Sequence, residues 1–365
     1  MNRASSAALV VLLALTSSVA AKDPASPEII DVDSDGSLVA PPRVAVGTDG
    51  RILVALPVAD GIDVARQGVE GRPVHAVRRA DLIVGGRRGP RIAATGKAVV
   101  LAAITRREKK AAGGELLAWR SPDGGATWGD AVRVNDVPGC AEEGLFDLAA
   151  LPDGRFAVVW LDDRTGKGKR LRADFSADGA AWGDDVLAYE SPDGSICECC
   201  APAIAAAGGG AVVAFRNSLR GDRDIWTMRL DAGKTKFGPA AKSGTGSWKL
   251  AACPMAGPAV GVSGADVVSA WRRERDVFLA VGGAEERDLG EGTEPQLVVG
   301  DDGVHAFWIA NDSSLVHLAP GARAPAEIAK AASFPCAADH GSADRGSVVV
   351  WLDTATRRAL LAILR

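Results

Sequence analysis

Short apolar runs recur along the chain, each bounded by Gly or Asp. Seven look alike: RILVALPV from 51, AVVLAAIT from 98, FAVVWLDD from 156, AVVAFRN from 211, DVVSAWR from 266, GVHAFWI from 303 and SVVVWLD from 347. They are rich in β-branched residues and too short for helices, so they predict buried strands. TDG at 48, PDG at 152 and DDG at 301 stand just ahead of three of them. Gly in these positions supplies the positive φ of a tight hairpin. Before each hairpin lies a second strand of small residues: PRVAV at 42, PRIAA at 90, FDLAAL at 146, PAIAAA at 202, PAVGVS at 258, PQLVVG at 295 and PCAADH at 335. Small side chains suit strands crowded around an axis. A repeat of about 40 to 50 residues with several strands per unit is the signature of a β-propeller.

The expected fold is therefore all-β: one propeller domain over 41–365, built of four-stranded antiparallel sheets. The blade count is seven, or six if one pair of runs forms a broken blade. Helical periodicity is nearly absent, and no linker divides the chain. The polar segment 22–40 is either a tail or the outer strand that closes the last blade.

The first 21 residues change the picture of where the protein works. Arg3 gives a positive start, Ala8 to Leu15 an apolar centre, and Ser18-Val19-Ala20 a small-residue cleavage site. That is the pattern of a secretory signal peptide, cleaved near Ala20 or Ala21. The expectation is a periplasmic or secreted protein, monomeric and without a membrane span. The net charge of −4 gives no basic footprint of a nucleic-acid binder. The basic runs at 106–110 and 167–170 read as solvated loops. Six cysteines in an exported chain are compatible with disulfides, in 15 alternative pairings.

Residues 121–128 read Ser-Pro-Asp-Gly-Gly-Ala-Thr-Trp. This resembles the Asp box, S-x-D-x-G-x-T-W, of bacterial sialidases and related BNR-repeat propellers. SADGAAW at 176–182 and DAGKTKF at 231–237 are degenerate copies in the same phase. The resemblance spans essentially the whole chain after the signal segment. It implies a structural role for Ser121, Asp123, Gly125, Thr127 and Trp128. The same holds for Ser176, Asp178 and Trp182, and for Asp231, Gly233 and Phe237. Asp and Ser side chains bond the turn's own amides, which is the turn chemistry expected of these residue types. The boxes mark the face opposite a sialidase active site. The resemblance also implies a Tyr nucleophile with a Glu partner, an Asp acid/base and three Arg gripping a carboxylate. The chain departs from that set. Its one tyrosine, Tyr189, lies in mid-chain, and Glu190 beside it points to the opposite face of a strand. Arg43 and Arg91 are loose matches to the arginines and Arg216 could line a cleft, so an exo-acting sialidase-type hydrolase is an alternative function.

All six cysteines occupy one phase of the repeat. Cys140, the group Cys197, Cys199 and Cys200, then Cys253 and Cys336 each stand just before or at the start of an inner strand. A propeller gathers such loops at one mouth of its channel. Two readings follow: disulfides stapling neighbouring loops, or thiolates binding Cu or Zn or doing redox work. Met255 and His340 share loops with Cys253 and Cys336. The same face should carry Glu142, Asp162, Asp163, Arg164, Glu198, Arg216, Arg223, Trp271, Arg272 and Asp353 as a ligand-binding rim. His75, His305 and His317 read as structural or surface residues. The sequence thus points to a non-catalytic exported propeller whose Cys-rich mouth engages a glycan, a small molecule or a protein. A metal or thiol-redox protein is a further alternative.

Overall fold

A computed structural model describes residues 27–32, 38–68, 73–106, 114–141, 143–283, 285–341 and 346–364. The signal-like segment and Glu142 lie outside the described residues. Among the described residues there are strands and no helix, so none is long and apolar enough to cross a membrane.

Each of the seven apolar runs forms the second strand of an antiparallel hairpin, and each small-residue run the first. The first four-stranded blade comprises Arg43–Val46, Ile52–Val58, Gly61–Arg66 and Val74–Arg78. The second comprises Arg91–Thr95, Ala98–Thr105, Glu115–Ser121 and Val132–Arg133. The third comprises Phe146–Ala150, Phe156–Asp162, Arg170–Ser176 and Val186–Tyr189. The fourth comprises Ala203–Ala207, Gly210–Arg216, Ile225–Leu230 and Ala241–Lys242. A fifth four-stranded sheet joins Ala332–Asp339, Ser347–Asp353 and Ala359–Leu364 to the early strand Ile29–Asp31, where Ile30 pairs with Leu361.

The blade count departs from expectation. There are five four-stranded sheets, not seven or six. The remaining seven strands, from Ala259–Ser263 to Ala326–Ala329, form one continuous sheet. The cause is the 15-residue strand Glu286–Gly300. Its first part pairs with Asp276–Val281 and its second with Gly303–Ala310, with a register shift between Thr293 and Gln296. No break separates an outer strand from the next inner one, so the hydrogen-bonded ladder runs on.

The apolar runs are continuous rather than alternating because both of their faces are covered. Phe156–Asp162 is buried at every position. One apolar cluster joins the first blade to the second, with Leu53 and Ile62 against Leu101 and Trp119. Another joins the second to the third, through Val100 and Phe156. A third joins the third to the fourth, through Leu161 and Phe215. Trp160, Trp308 and Trp351 are fully buried between sheets. Truncating any of them to Ala would cost about 3–5 kcal/mol through lost transfer energy and cavity formation. The inner strands surround a central cavity of about 500 Å³ whose wall is largely Ala, Val and Gly.

Candidate metal centre

The two faces of the ring carry different chemistry. On one, Asp123 closes the complete Asp box. Its carboxylate accepts from Thr127 Oγ1 at 2.7 Å and from the amides of Ala126 and Thr127 at 3.0 and 2.8 Å. Ser121 Oγ accepts from Gly125 N at 2.8 Å. These bonds hold the Asp123 carboxyl down at about 2, the Thr127 hydroxyl contributing most. In the second box Ser176 Oγ accepts from Gly179 N, and Asp178 from Ala180 N. In the third, Asp231 and Gly233 lie in the turn, and Phe237 packs on Phe175. Trp128 and Trp182 pack into the clusters between neighbouring sheets. The boxes touch the hairpins between first and second strands: Gly124 N donates to Lys97 O, and Arg155 Nη1 donates to Lys234 O.

The loops leading into the inner strands lie on the other face. The Cys197 amide donates to Arg216 O at the end of a second strand, and the Asp163 amide donates to Cys140 O. Here the structure separates the six cysteines instead of pooling them. Cys197, Cys199 and Cys200 converge, with all three sulfurs within 4.8 Å of one another. Cys197 Sγ lies 3.8 Å from Cys199 Sγ and 3.6 Å from Cys200 Sγ. A disulfide needs about 2.05 Å. All six cysteines are free, so the staple expectation is corrected. Four sulfurs at about 2.3 Å from a tetrahedral metal lie about 3.8 Å apart, and the observed separations match that edge. Cys197 and Cys200 are buried and Cys199 is half-buried. The Cys253 thiol is exposed, and its pKa is raised, first by the Cys199 thiol. Thiol contacts from Cys199 and Cys200 pull Cys197 down to about 3, with Arg223 adding to the effect. Cys200 is pushed the other way, first by its contact with Cys197.

The other two cysteines stand apart. Cys140 is buried against Asp162 and Asp185, a group close enough to hold a cation. A cation already sits there: Arg164 bonds Asp162 at 2.9 Å, Asp136 at 2.9 Å, Asp185, and Cys140 Sγ at 3.7 Å. Burial pushes the Cys140 thiol up to about 12, with the Asp162 contact adding to it. Cys336 lines the central cavity, its Sγ 3.9 Å from Val44 O.

Several expected rim residues are not at the rim. Arg216 is 1% exposed and Trp271 3%. The reason for Arg216 is its fork. It donates to Ala256 O through Nε and Nη2 at 3.2 and 3.1 Å, to Arg272 O at 2.8 Å and to Arg223 O. It ties the Cys253 loop to the fourth blade and lies beside Cys200, lowering that thiol's pKa against the larger thiol effects. Asp162 is buried with its carboxylate on Trp160 Nε1 and Arg164. Arg223 Nε donates to Leu250 O, and Arg272 Nε to Glu274 O. Asp163 binds Lys169, Glu198 accepts from Ser195 Oγ, and Asp353 caps its own turn. The run at 167–170 is less solvated than expected, since Lys169 is buried and Arg170 pairs with Glu190.

The hydrolase candidates are scattered. Tyr189 sits on an outer strand, its ring packed at a tilt against Phe215 and its hydroxyl accepting from Asn217 Nδ2 at 3.0 Å. Neither it nor Glu190 lines the central cavity. Arg43 and Arg91 do line it, Arg91 paired with Asp147 at 3.0 Å. Sequence reasoning missed Arg87 and Glu294, an ion pair at the same cavity. Nothing local marks that pair. His305 is buried and bonds both His317 and Asp302 at 3.0 Å, and His75 pairs with Asp63.

No family model matches the chain, and no curated protein matches it. Solved structures do. A Penicillium chrysogenum α-L-arabinanase, complexed with arabinobiose, aligns at TM-score 0.51 and 14% identity, over 78% of this chain and 94% of that one. A Hadza microbial sialidase aligns at 0.48 and 12%, over 86% and 73%. A Trypanosoma rangeli sialidase aligns at 0.46 and 14%, over 81% and 58%. At such identities the likeness is one of fold. By the arabinanase match and its own strand order, the chain has a β-propeller fold, with Asp-box turns held by their own hydrogen bonds.

Proposed function

We propose that this protein is an exported, monomeric, non-catalytic propeller that binds a soft metal ion through Cys197, Cys199 and Cys200. One observation carries the reading: three unbonded thiols, two of them buried, with sulfur separations of 3.6 and 3.8 Å. Buried thiols with no covalent partner need a reason to crowd. A shared cation supplies it, because thiolates are soft ligands that select Cu(I) or Zn. The short loop before Ala203–Ala207 sets the spacing, and the buried Arg216 offsets negative charge beside Cys200. Export is motivated by the signal pattern from Arg3 to Ala20. Support for a non-catalytic role comes from Tyr189, which is held between Phe215 and Trp226 away from the cavity.

The test is metal stoichiometry. The chain, reduced and loaded without oxygen, should retain one Zn(II) or Cu(I) after desalting, by elemental analysis. Cys200→Ser should abolish retention while keeping the wild-type circular dichroism spectrum. A wild-type protein that retains no metal would overturn the proposal. Hydrolysis of a fluorogenic sialoside or arabinoside, lost in Tyr189→Phe, would overturn its non-catalytic part.

A further inference from the structure

The three gathered sulfurs do not surround a metal. They come from one stretch of four residues and grow more exposed from Cys197 and Cys200 to Cys199. The uncovered side is the Cys199 side. Cys253 is exposed and carried by a different loop, which packs on that of the triad: the Cys197 amide donates to Arg216 O, the Arg216 side chain donates to Ala256 O, and Gly257 lies against Ala201 O. Cys253 does not belong to the group in which all sulfurs lie within 4.8 Å of one another. It is therefore adjacent to the triad and on its solvent side. Met255 follows two residues later, 46% exposed, with a left-handed backbone at φ 51°. A large apolar residue in that conformation on a loop is uncommon and needs a cause.

We infer that Cys253 is the fourth ligand of this centre, and that the ion it takes is cuprous copper. This rests on the metal reading of the triad. The donor set decides the ion. Every ligand is sulfur, and a second soft sulfur, the Met255 thioether, lies on the same loop. Thiolate and thioether together favour Cu(I). A structural zinc site is closed by four ligands in a fixed tetrahedron. Here two donors are sealed in the protein, one is half-covered and one is exposed. Such a graded set suits an ion that accepts fewer ligands and is exchanged with solvent or a carrier.

Two features place Cys253. Between Ala241–Lys242 and Ala259–Ser263 the chain has no regular strand, and backbone bonds tie it at Trp248 and Leu250 to Arg223 and Gly221. Arg216 fixes it through two bonds to Ala256 O, three residues from Cys253. Arg223 holds the other side of the loop, its Nε donating to Leu250 O at 3.4 Å, three residues before Cys253. Two arginines thus flank the loop, and their positive charge offsets the negative charge of a thiolate-rich centre.

The experiment compares wild type, Cys197→Ser, Cys253→Ser and Met255→Leu. Each reduced full-length protein is titrated anaerobically with Cu(I) against bathocuproine disulfonate. Zn(II)-loaded wild type is then challenged with one equivalent of Cu(I), and released zinc is measured. Wild type should bind one Cu(I), and Cys197→Ser should lose it. Cys253→Ser should still bind one ion, at least tenfold more weakly, and Met255→Leu should weaken binding less. Cu(I) should expel the zinc. No metal bound by wild type overturns the triad itself. Tight binding unchanged in Cys253→Ser overturns the fourth ligand and leaves the triad standing. Zinc retained against Cu(I) overturns the choice of ion.

Discussion

At the scale of residues, the two clearest groups are those whose partners are close in sequence. Asp123 bonds atoms three and four residues away, so its role is written in the eight-residue Asp box. Its carboxyl is held at about 2, below the ordinary 3.8. A depressed carboxyl contributes stability above its unfolded pKa, and that contribution disappears as pH falls from about 4 to 2. The side chain is largely exposed, so solvent screening keeps the effect small. Asp123→Ala should lower the urea midpoint at pH 7, and the gap to wild type should shrink steadily below pH 4. A gap that stays constant down to pH 2 would show that the carboxylate charge is irrelevant to the turn. The Cys197, Cys199, Cys200 triad was legible for the same reason of locality. Arg216 was not read correctly. Its partners Ala256 and Arg272 lie 40 and 56 residues away, and nothing nearby distinguishes a stapling arginine from a solvated one. One signal was available: an arginine closing a wholly apolar run, AVVAFRN, sits at the end of a buried strand.

At the scale of elements, strand identity follows from composition, whereas strand boundaries and loop positions depend on contacts between sheets. All seven apolar runs are strands because each is long enough to cross a blade and apolar on both faces. The loop carrying Cys253 has no strand of its own; backbone bonds hold it at Trp248 and Leu250, and Arg216 holds it at Ala256. Arg216→Met keeps the bulk and removes every donor. The buried carbonyl of Ala256 and the part-buried carbonyls of Arg223 and Arg272 would then lack this partner, at about 1–3 kcal/mol for a buried group left unsatisfied. The expected result is a large fall in the denaturation midpoint. Arg216→Lys restores the charge but not the fork, and should recover only part of it. In the lysine variant, which is the better folded of the two, Cu(I) affinity should also fall if the loop presents Cys253. A methionine variant as stable as wild type would mean that water satisfies the carbonyls and that the staple is dispensable.

At the scale of the whole molecule, the repeat period announced the propeller, but the number of separate blades was not in it. Period counts strand pairs. It does not report whether an outer strand ends before the next inner strand begins, and Glu286–Gly300 does not end. Ring closure is likewise a long-range event. Ile29–Asp31 forms the edge beyond Ala359–Leu364, and Arg358 pairs with Asp31 across the join. Val32 is 5% exposed and packs into the cluster shared by the last sheet and the first blade. A ring held shut by pairing between its two ends should loosen at that seam first. Removing residues up to Val32 would strip the ladder from the outer edge of Ala359–Leu364 and open a void beside Leu361. We expect a lower melting temperature and faster amide exchange in Ala359–Leu364 and Ser347–Asp353. The Cys197 triad, at the start of the fourth blade, should keep its metal stoichiometry. Unchanged exchange at the last sheet would show that the ring is closed by sheet packing alone. Loss of metal together with the strand would show that the mouth of the channel depends on closure, because all the inner strands crowd around one cavity and a shift in one moves its neighbours.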